Sequence, residues 1–251
     1  YISTLQYVME SCAENHLPLM VLDRPNPHAH YVDGPVLKKE YASFVGMQPV
    51  PVVYGMTMGE YAEMLNGEGW LKDGVRCDLT VVPLKFWKHS DDYVLPVAPS
   101  PNLPNQAAIR LYPSLCFFEG TDVSLGRGTD YPFQCYGFPD NENGTFEFTP
   151  VSMPGKAKTP PQMGKKCKGE LLHSYAMQHR PDKLQLEWLL KAYAAYPDTS
   201  KFFIPFFDKL SGNAVLQQQI RQGLSESEIR ASWKADLDLF RKIRSKYLLY
   251  P

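Results

Sequence analysis

Residues 118–129, Phe-Glu-Gly-Thr-Asp-Val-Ser-Leu-Gly-Arg-Gly-Thr, are the densest polar segment of the chain. Glu119 follows the apolar run 115–118 (Leu-Cys-Phe-Phe), whose pattern predicts a strand. A carboxyl is therefore expected at a strand end, before a flexible glycine-rich loop that exposes its main chain. Gly120, Gly126 and Gly128 permit close approach of a ligand to the backbone. Arg127 lies between two of these glycines and is free to turn its planar fork to a carboxylate or a phosphate. Thr121, Asp122 and Thr129 add hydroxyl and carboxyl groups to the same loop. No GxxxxGK[ST] spacing is present, which excludes a Walker-type phosphate loop. The bland alternative is a glycine-rich turn carrying a solvated Glu–Arg pair.

A second cluster, 22–27 (Leu-Asp-Arg-Pro-Asn-Pro), brings Asp23, Arg24 and Asn26 together after a short apolar run. Two prolines stiffen it, and an Asx-turn with a surface Asp–Arg pair explains it equally well. Asn102 sits in a third polar, proline-rich loop, 97–104. His28 and His30 alternate as strand neighbours would, but no carboxylate or Cys stands at a matching offset for a metal. No GxSxG occurs, and no Ser/His/Asp or Cys/His arrangement is legible. Tyr54, Trp70, Tyr112, Tyr131 and Tyr136 are numerous enough to form a sugar-stacking platform, although each alone reads as core. The residues by themselves therefore reach a loop-built polar site for an anionic or sugar ligand.

These loops need elements to hold them. The chain has 251 residues, is 44% hydrophobic and 21% charged, and so can bury a sizeable core. Its 26 Lys and Arg against 27 Asp and Glu give no electrostatic argument for nucleic acid or an anionic membrane surface. No apolar run is long enough to span a membrane, and the opening Tyr-Ile-Ser carries neither Met nor a basic segment of a signal peptide. Five widely spaced Cys without a CxxC exclude zinc-ribbon and thioredoxin readings and fit buried small hydrophobes.

Leu5, Val8, Met9, Cys12 and Ala13 recur at helical spacing and predict a helix over 3–15, followed by a buried strand at 19–22. That is one half of an α/β unit, with ligands expected at the strand's carboxyl end. Thr57 and Glu60 form a capping box for a short helix, and Ser225 and Glu228 form one for a long helix carrying Ile229, Trp233, Leu237, Phe240 and Tyr247. Strands are expected at 79–84, 115–118, 133–136 and 167–173, with a hairpin turn at Asn143-Gly144. Helices are expected over 183–195 and 213–222. The fold class read from this pattern is α/β followed by α+β.

Several segments together resemble one family, the bacterial exo-β-N-acetylmuramidases of the NamZ type. They are VLDRPNP (21–27), VDGP (32–35), SFVGMQPVPVVYGMTMGEYA (43–62), PSPNLPN (99–105), YPSLCFFEGTDVSLGRGTDYPFQCYG (112–137), CKGELLH (167–173), FDKLSG (207–212) and KYLLYP (246–251). The resemblance spans almost the whole chain in order. It implies release of N-acetylmuramic acid from the non-reducing ends of peptidoglycan fragments, with no metal or organic cofactor. Muramyl saccharides are then the partners, and a periplasmic or secreted location follows from where peptidoglycan lies.

Family members are longer and begin with a Rossmann-like domain bearing a Gly-Pro-Glu-His-Gly-type segment, whose Glu is the leading catalytic candidate; no Glu-His pair occurs in these residues. Residues 1–24 would be the end of that domain, and 25–251 an α+β domain forming one wall of an interdomain cleft. Glycoside hydrolysis generally uses two carboxyl groups, and Glu119 is the best catalytic candidate within the chain, ahead of Asp23 and Asp122. The lactyl carboxylate of muramic acid calls for a cation, Arg127 or Arg24. Asp23, Asn26, Asn102, Thr121 and Thr129 are the remaining substrate-binding candidates. The competing reading is a non-catalytic sugar-acid binding protein that uses the same residues.

Overall fold

The computed structural model describes residues 2–251, in which two units each gather their own core. In chain order the elements are α1 (Ile2–Glu14), β1 (Leu19–Leu22), β2 (Asp33–Val36), β3 (Pro51–Val53), α2 (Met58–Gly67), β4 (Leu79–Val82), α3 (Gln106–Leu115), β5 (Cys135–Phe138), β6 (Phe146–Phe148), β7 (Cys167–Leu171), α4 (His173–Gln178), α5 (Glu187–Ala195), α6 (Phe207–Ser211), α7 (Val215–Arg221) and α8 (Glu226–Arg244). The architecture is mixed α/β with small sheets. One unit runs from the start of the chain to Tyr93 and takes back Trp233–Pro251; the other is Val94–Ser232. The family resemblance implies a boundary after residue 24, whereas the units part at 93/94 and 232/233. The physical reason is that β1 finds its partner downstream: it pairs in parallel with β4, Leu19 opposite Leu79 through Leu22 opposite Val82.

In the first unit α2 connects toward β4 and packs on the β1–β4 pair, as a right-sized crossover element does. Leu19, Val21 and Leu79 turn inward to a core of Met9, Met56, Tyr61, Met64, Leu65 and Phe240. The alternate residues Met20, Leu22 and Val82 are exposed, because side chains on a strand alternate faces. The helical stripe on α1 is narrower than its sequence implies, since Val8 faces out while Met9 is fully buried. Its polar flank is buried instead: Gln6 Nε2 donates to Glu10 Oε1 (2.8 Å), and Glu10 Oε1 also accepts from Lys72 N. Buried polar groups are tolerated where they are hydrogen-bonded.

In the second unit β7 is the middle strand of an antiparallel sheet ordered β5-β7-β6. Asn143-Gly144 is therefore not a hairpin turn. The segment between β5 and β6 must pass across β7, and Gly144 lies so close to it that a Cβ would stand 2.4 Å from Gly169 N. The 115–118 run is not a strand either. Asn105 caps α3 by accepting Ala108 N (3.0 Å), and the buried Ala108, Leu111 and Leu115 continue at helical spacing. The chain then tightens into a 3₁₀ turn at Cys116–Gly120, where Phe117 and Phe118 are buried. Glu119 thus stands at the end of a helix, not of a strand.

Candidate functional site

The glycine-rich loop in the second unit is held on all sides. Asp122 N donates to Phe202 O, Ser124 and Gly137 exchange both main-chain bonds, Phe133 N donates to Leu125 O, and Val151 N donates to Gly128 O. Most of its residues are buried, so the flexible, backbone-exposing loop expected from three glycines is in fact rigid. Gly126 (φ 71°) and Gly128 (φ 79°) occupy the left-handed region, and a Cβ on Gly128 would come within 2.3 Å of Val151 O. The glycines fix a tight path that raises Arg127 out of the loop. Gly128→Ala should accordingly lower stability by about 1–3 kcal/mol. Thermal unfolding checks this; an unchanged midpoint would mean that the loop yields freely.

Arg127 Nη2 donates to Glu119 Oε2 at 3.1 Å, and the guanidinium lies 4.7 Å above the Phe133 ring centroid. Both side chains are about a quarter exposed, 28% for Arg127 and 26% for Glu119. Burial pushes the Glu119 carboxyl above its ordinary range, and the Arg127 charge and hydrogen bond only partly offset this. The remaining N–H groups of Arg127 make no bond to any described residue, so its fork keeps donors for an incoming anion. The Tyr112 ring lies 5.2 Å from Phe133, and Tyr112 and Tyr131 are each more than a third exposed. Of the five aromatic candidates only these two present a surface in quantity. Tyr136 is buried, and Tyr54 and Trp70 pack on the core of the first unit.

Several other expected binding groups are already engaged within the fold. Thr121 Oγ1 donates to Phe118 O (2.8 Å) and Thr129 Oγ1 to Gly126 O (2.6 Å), so neither keeps a hydroxyl proton for a sugar. Asn102 Nδ2 donates to Lys156 O. Asp122 Oδ2 accepts from Tyr196 Oη (2.5 Å) and Gln162 Nε2 (2.8 Å). The neighbouring Cys116 thiol is pushed far up by burial and by the Glu119 charge, which removes it as a nucleophile.

The first unit holds Asp23, Arg24 and Asn26. Asn26 forms the Asx-turn: its Oδ1 accepts His28 N and its Nδ2 donates to Met56 O, both at 2.8 Å. Arg24 is exposed, and its charge reaches Tyr54, whose hydroxyl burial pushes up to about 12 against that charge. Asp23 does not pair with the Arg24 side chain. Its Oδ1 accepts from Arg24 N and Gly59 N, and its Oδ2 accepts from Thr57 Oγ1 and Tyr250 Oη, both at 2.6 Å. With four donors around it and 9% exposure, Asp23 is a structural node with little left for a ligand.

Next to it stands a group that sequence reasoning passed over. Glu60 is fully buried; its Oε2 meets His89 Nε2 (2.9 Å) and Thr57 N, and its Oε1 accepts Leu249 N. Burial alone would raise the Glu60 carboxyl, but His89 and the two main-chain N–H groups outweigh it and hold it below its ordinary range. The Thr57–Glu60 capping box was the readable half of this cluster; His89 and the C-terminal tail carry no local signal. Among the described residues, no group of three His, Cys, Asp or Glu converges as a metal site requires, and no helix is long and apolar enough to cross a membrane.

Two family models match, described as exo-beta-N-acetylmuramidase NamZ, N-terminal, over residues 1–107, and C-terminal, over 110–250. Among curated proteins, the peptidoglycan beta-N-acetylmuramidase NamZ of Bacillus subtilis (strain 168) is 38% identical over 267 residues, covering 100% of this chain and 64% of that protein. The chain thus spans somewhat under two thirds of that relative's length. Two crystal structures of DUF1343 family proteins from Bacteroides fragilis NCTC 9343 superpose on all of it. One has a TM-score of 0.94 at 47% identity, the other 0.85 at 28%, and each is covered over 71% of its chain.

Proposed function

The chain belongs to the exo-β-N-acetylmuramidase NamZ family, and from that premise we propose that it serves a glycoside hydrolase releasing N-acetylmuramic acid from non-reducing ends of peptidoglycan fragments. The observation that carries the reading is the Glu119–Arg127 pair, a half-buried carboxyl and a guanidinium with unused donors on a rigid loop. Muramic acid differs from glucosamine by a lactyl carboxylate, and a planar fork with free N–H groups is the side chain suited to bind it. A carboxylate arriving at Arg127 would also compete for the cation and add negative charge beside Glu119. Both effects push Glu119 further toward its protonated form. Substrate binding and arming of a general acid are coupled in this scheme.

Hydrolysis needs a second group opposite the acid. Asp122 is engaged with Tyr196 and Gln162, so the family resemblance assigns that role to the Glu of a Gly-Pro-Glu-His-Gly segment, which these 251 residues do not contain. The same proposal reads the α1–β1 segment as the end of a Rossmann-like domain, supported by the parallel β1–β4 pair with α2 packed on it. It also places the enzyme's work outside the cytoplasmic membrane, where peptidoglycan lies.

The test is release of free N-acetylmuramic acid from short glycan fragments by the complete protein, followed by mass spectrometry. Arg127→Ala should cost about 1.5–3 kcal/mol of preference for muramic acid over N-acetylglucosamine termini, roughly 10- to 150-fold. Equal losses on both termini would assign Arg127 to the fold instead. Binding without any turnover would favour the non-catalytic sugar-acid binding protein.

A further inference from the structure

His173 is half-buried at the start of α4, and its Nδ1 lies 2.7 Å from Gln134 Oε1. An imidazole nitrogen can donate or accept, and what decides it here is a chain of assigned bonds that begins at a helix cap. Ala108 N–H at the start of α3 has to donate, so the Asn105 atom facing it is the carbonyl Oδ1 (3.0 Å). The other end of Asn105 is therefore the amide Nδ2, and it donates to Gln134 at 3.1 Å. The receiving atom of Gln134 is then Oε1, while its Nε2 turns to Pro132 O. Gln134 is 1% exposed and its Oε1 already takes the Asn105 amide, so this carbonyl has nothing to offer His173 but a lone pair. Nδ1 of His173 must carry the proton. In the neutral ring Nε2 is left as a bare acceptor, and it has no partner among the described residues.

The place of this acceptor follows from the backbone beside it. Gln134 is the immediate neighbour of Phe133, and Phe133 adopts φ 54°, a left-handed conformation unfavourable for an aromatic L residue. The Phe133 ring lies under Arg127, and the side chain of the next residue, Gln134, meets His173. The α3 helix ties the same group together, because its cap Asn105 holds Gln134 while Tyr112, seven residues on, packs on Phe133. Strained residues persist where the surroundings over-determine them, and such places cluster at binding and catalytic sites.

We infer that His173 is a saccharide-binding residue of the Arg127 site, presenting the Nε2 lone pair as acceptor for a hydroxyl or acetamido N–H of the bound sugar. The inference rests on the saccharide reading given above. It makes a division of labour: Arg127 takes the acid group, and His173 takes a donor that the parent amino sugar shares.

The experiment is 15N NMR of the full chain labelled at His and Arg, at pH 8, with added N-acetylmuramic acid, N-acetylglucosamine or D-lactate. Before ligand, His173 should show the Nδ1–H tautomer. Both sugars should shift its Nε2 signal, whereas lactate should move Arg127 and leave His173 in place. A free protein with the proton on Nε2 overturns the inference outright. Sugars that move Arg127 without touching His173 overturn it while leaving the saccharide reading intact. No response to either sugar at high millimolar concentration ends both. In the complete protein, His173→Phe should raise KM about threefold to tenfold with little change in kcat, since one neutral hydrogen bond is lost. His173→Gln should restore part of that loss; equal kcat losses in both variants would count against a binding role.

Discussion

Glu119→Gln in the complete protein should lower kcat by roughly 10²–10⁴, the range typical of a general acid or base. The change is nearly isosteric and keeps a carbonyl oxygen for Arg127 Nη2, so KM and the unfolding midpoint should move far less than kcat. The carboxyl sits just past α3 in a 3₁₀ turn whose other side chains are buried, and desolvation raises it above the usual range despite the cation beside it. A carboxyl raised in the folded state stabilises the protein below its ordinary titration range, and this contribution fades as pH rises through the folded value. The Gln variant lacks that fading component, so its stability should decline less between acid and neutral pH. Unchanged kcat on a chromogenic muramide would remove Glu119 from the chemistry.

The largest loss of stability is expected from Asp23→Ala. Thr57 is fully buried, and the Tyr250 hydroxyl, Gly59 N and Arg24 N converge on the same carboxylate. Deleting the acceptor strands several donors at once, and at about 1–3 kcal/mol for each buried group left unsatisfied the total should be about 3–5 kcal/mol. For a chain of this size that is a fall of roughly 6–20 °C in Tm. Tyr250→Phe removes only the hydroxyl that donates to Asp23 and accepts Leu84 N, and about 1–2 kcal/mol is expected. The neighbouring Glu60 adds a pH signature. Its lowered carboxyl stabilises the fold above the ordinary glutamate range and loses that contribution as pH falls through the lower folded value. Glu60→Gln should therefore flatten the acid limb of the stability curve. A stable Asp23→Ala protein would return Asp23 to the list of ligand-binding groups.

Much of this was legible from local signals. The capping boxes at Thr57 and Ser225 form as their spacing requires, with Glu60 and Glu228 reaching back to the cap N–H groups. The meeting of Glu119 and Arg127, eight residues apart across a glycine turn, was also within reach of sequence reasoning. Residues 115–118 misled because a short apolar run fits a strand and a buried helix end equally well. The cue that decides between them is Asn105 ahead of Ala107 and Ala108, which marks a helix start. Asn143-Gly144 carried the composition of a tight turn, but pairing is settled by β7, more than twenty residues away. Tyr250 and His89 could not be placed at all, since their partners Asp23 and Glu60 are 227 and 29 residues distant. Thr121 and Thr129 show the converse case. Their residue type suits a sugar, yet the nearest acceptor for each hydroxyl is a main-chain carbonyl three residues back.

In the proposed function Arg127, backed by Glu119 and lying on Phe133, takes the acid group of a muramyl ligand. A crystal structure of the protein soaked with N-acetylmuramic acid tests it most directly. The lactyl carboxylate should lie within about 2.7–3.0 Å of two Arg127 N–H groups, with the Glu119 carboxyl turned to the sugar. A ligand whose carboxylate faces solvent or another cation, with the Glu119–Arg127 pair undisturbed, would contradict the claim.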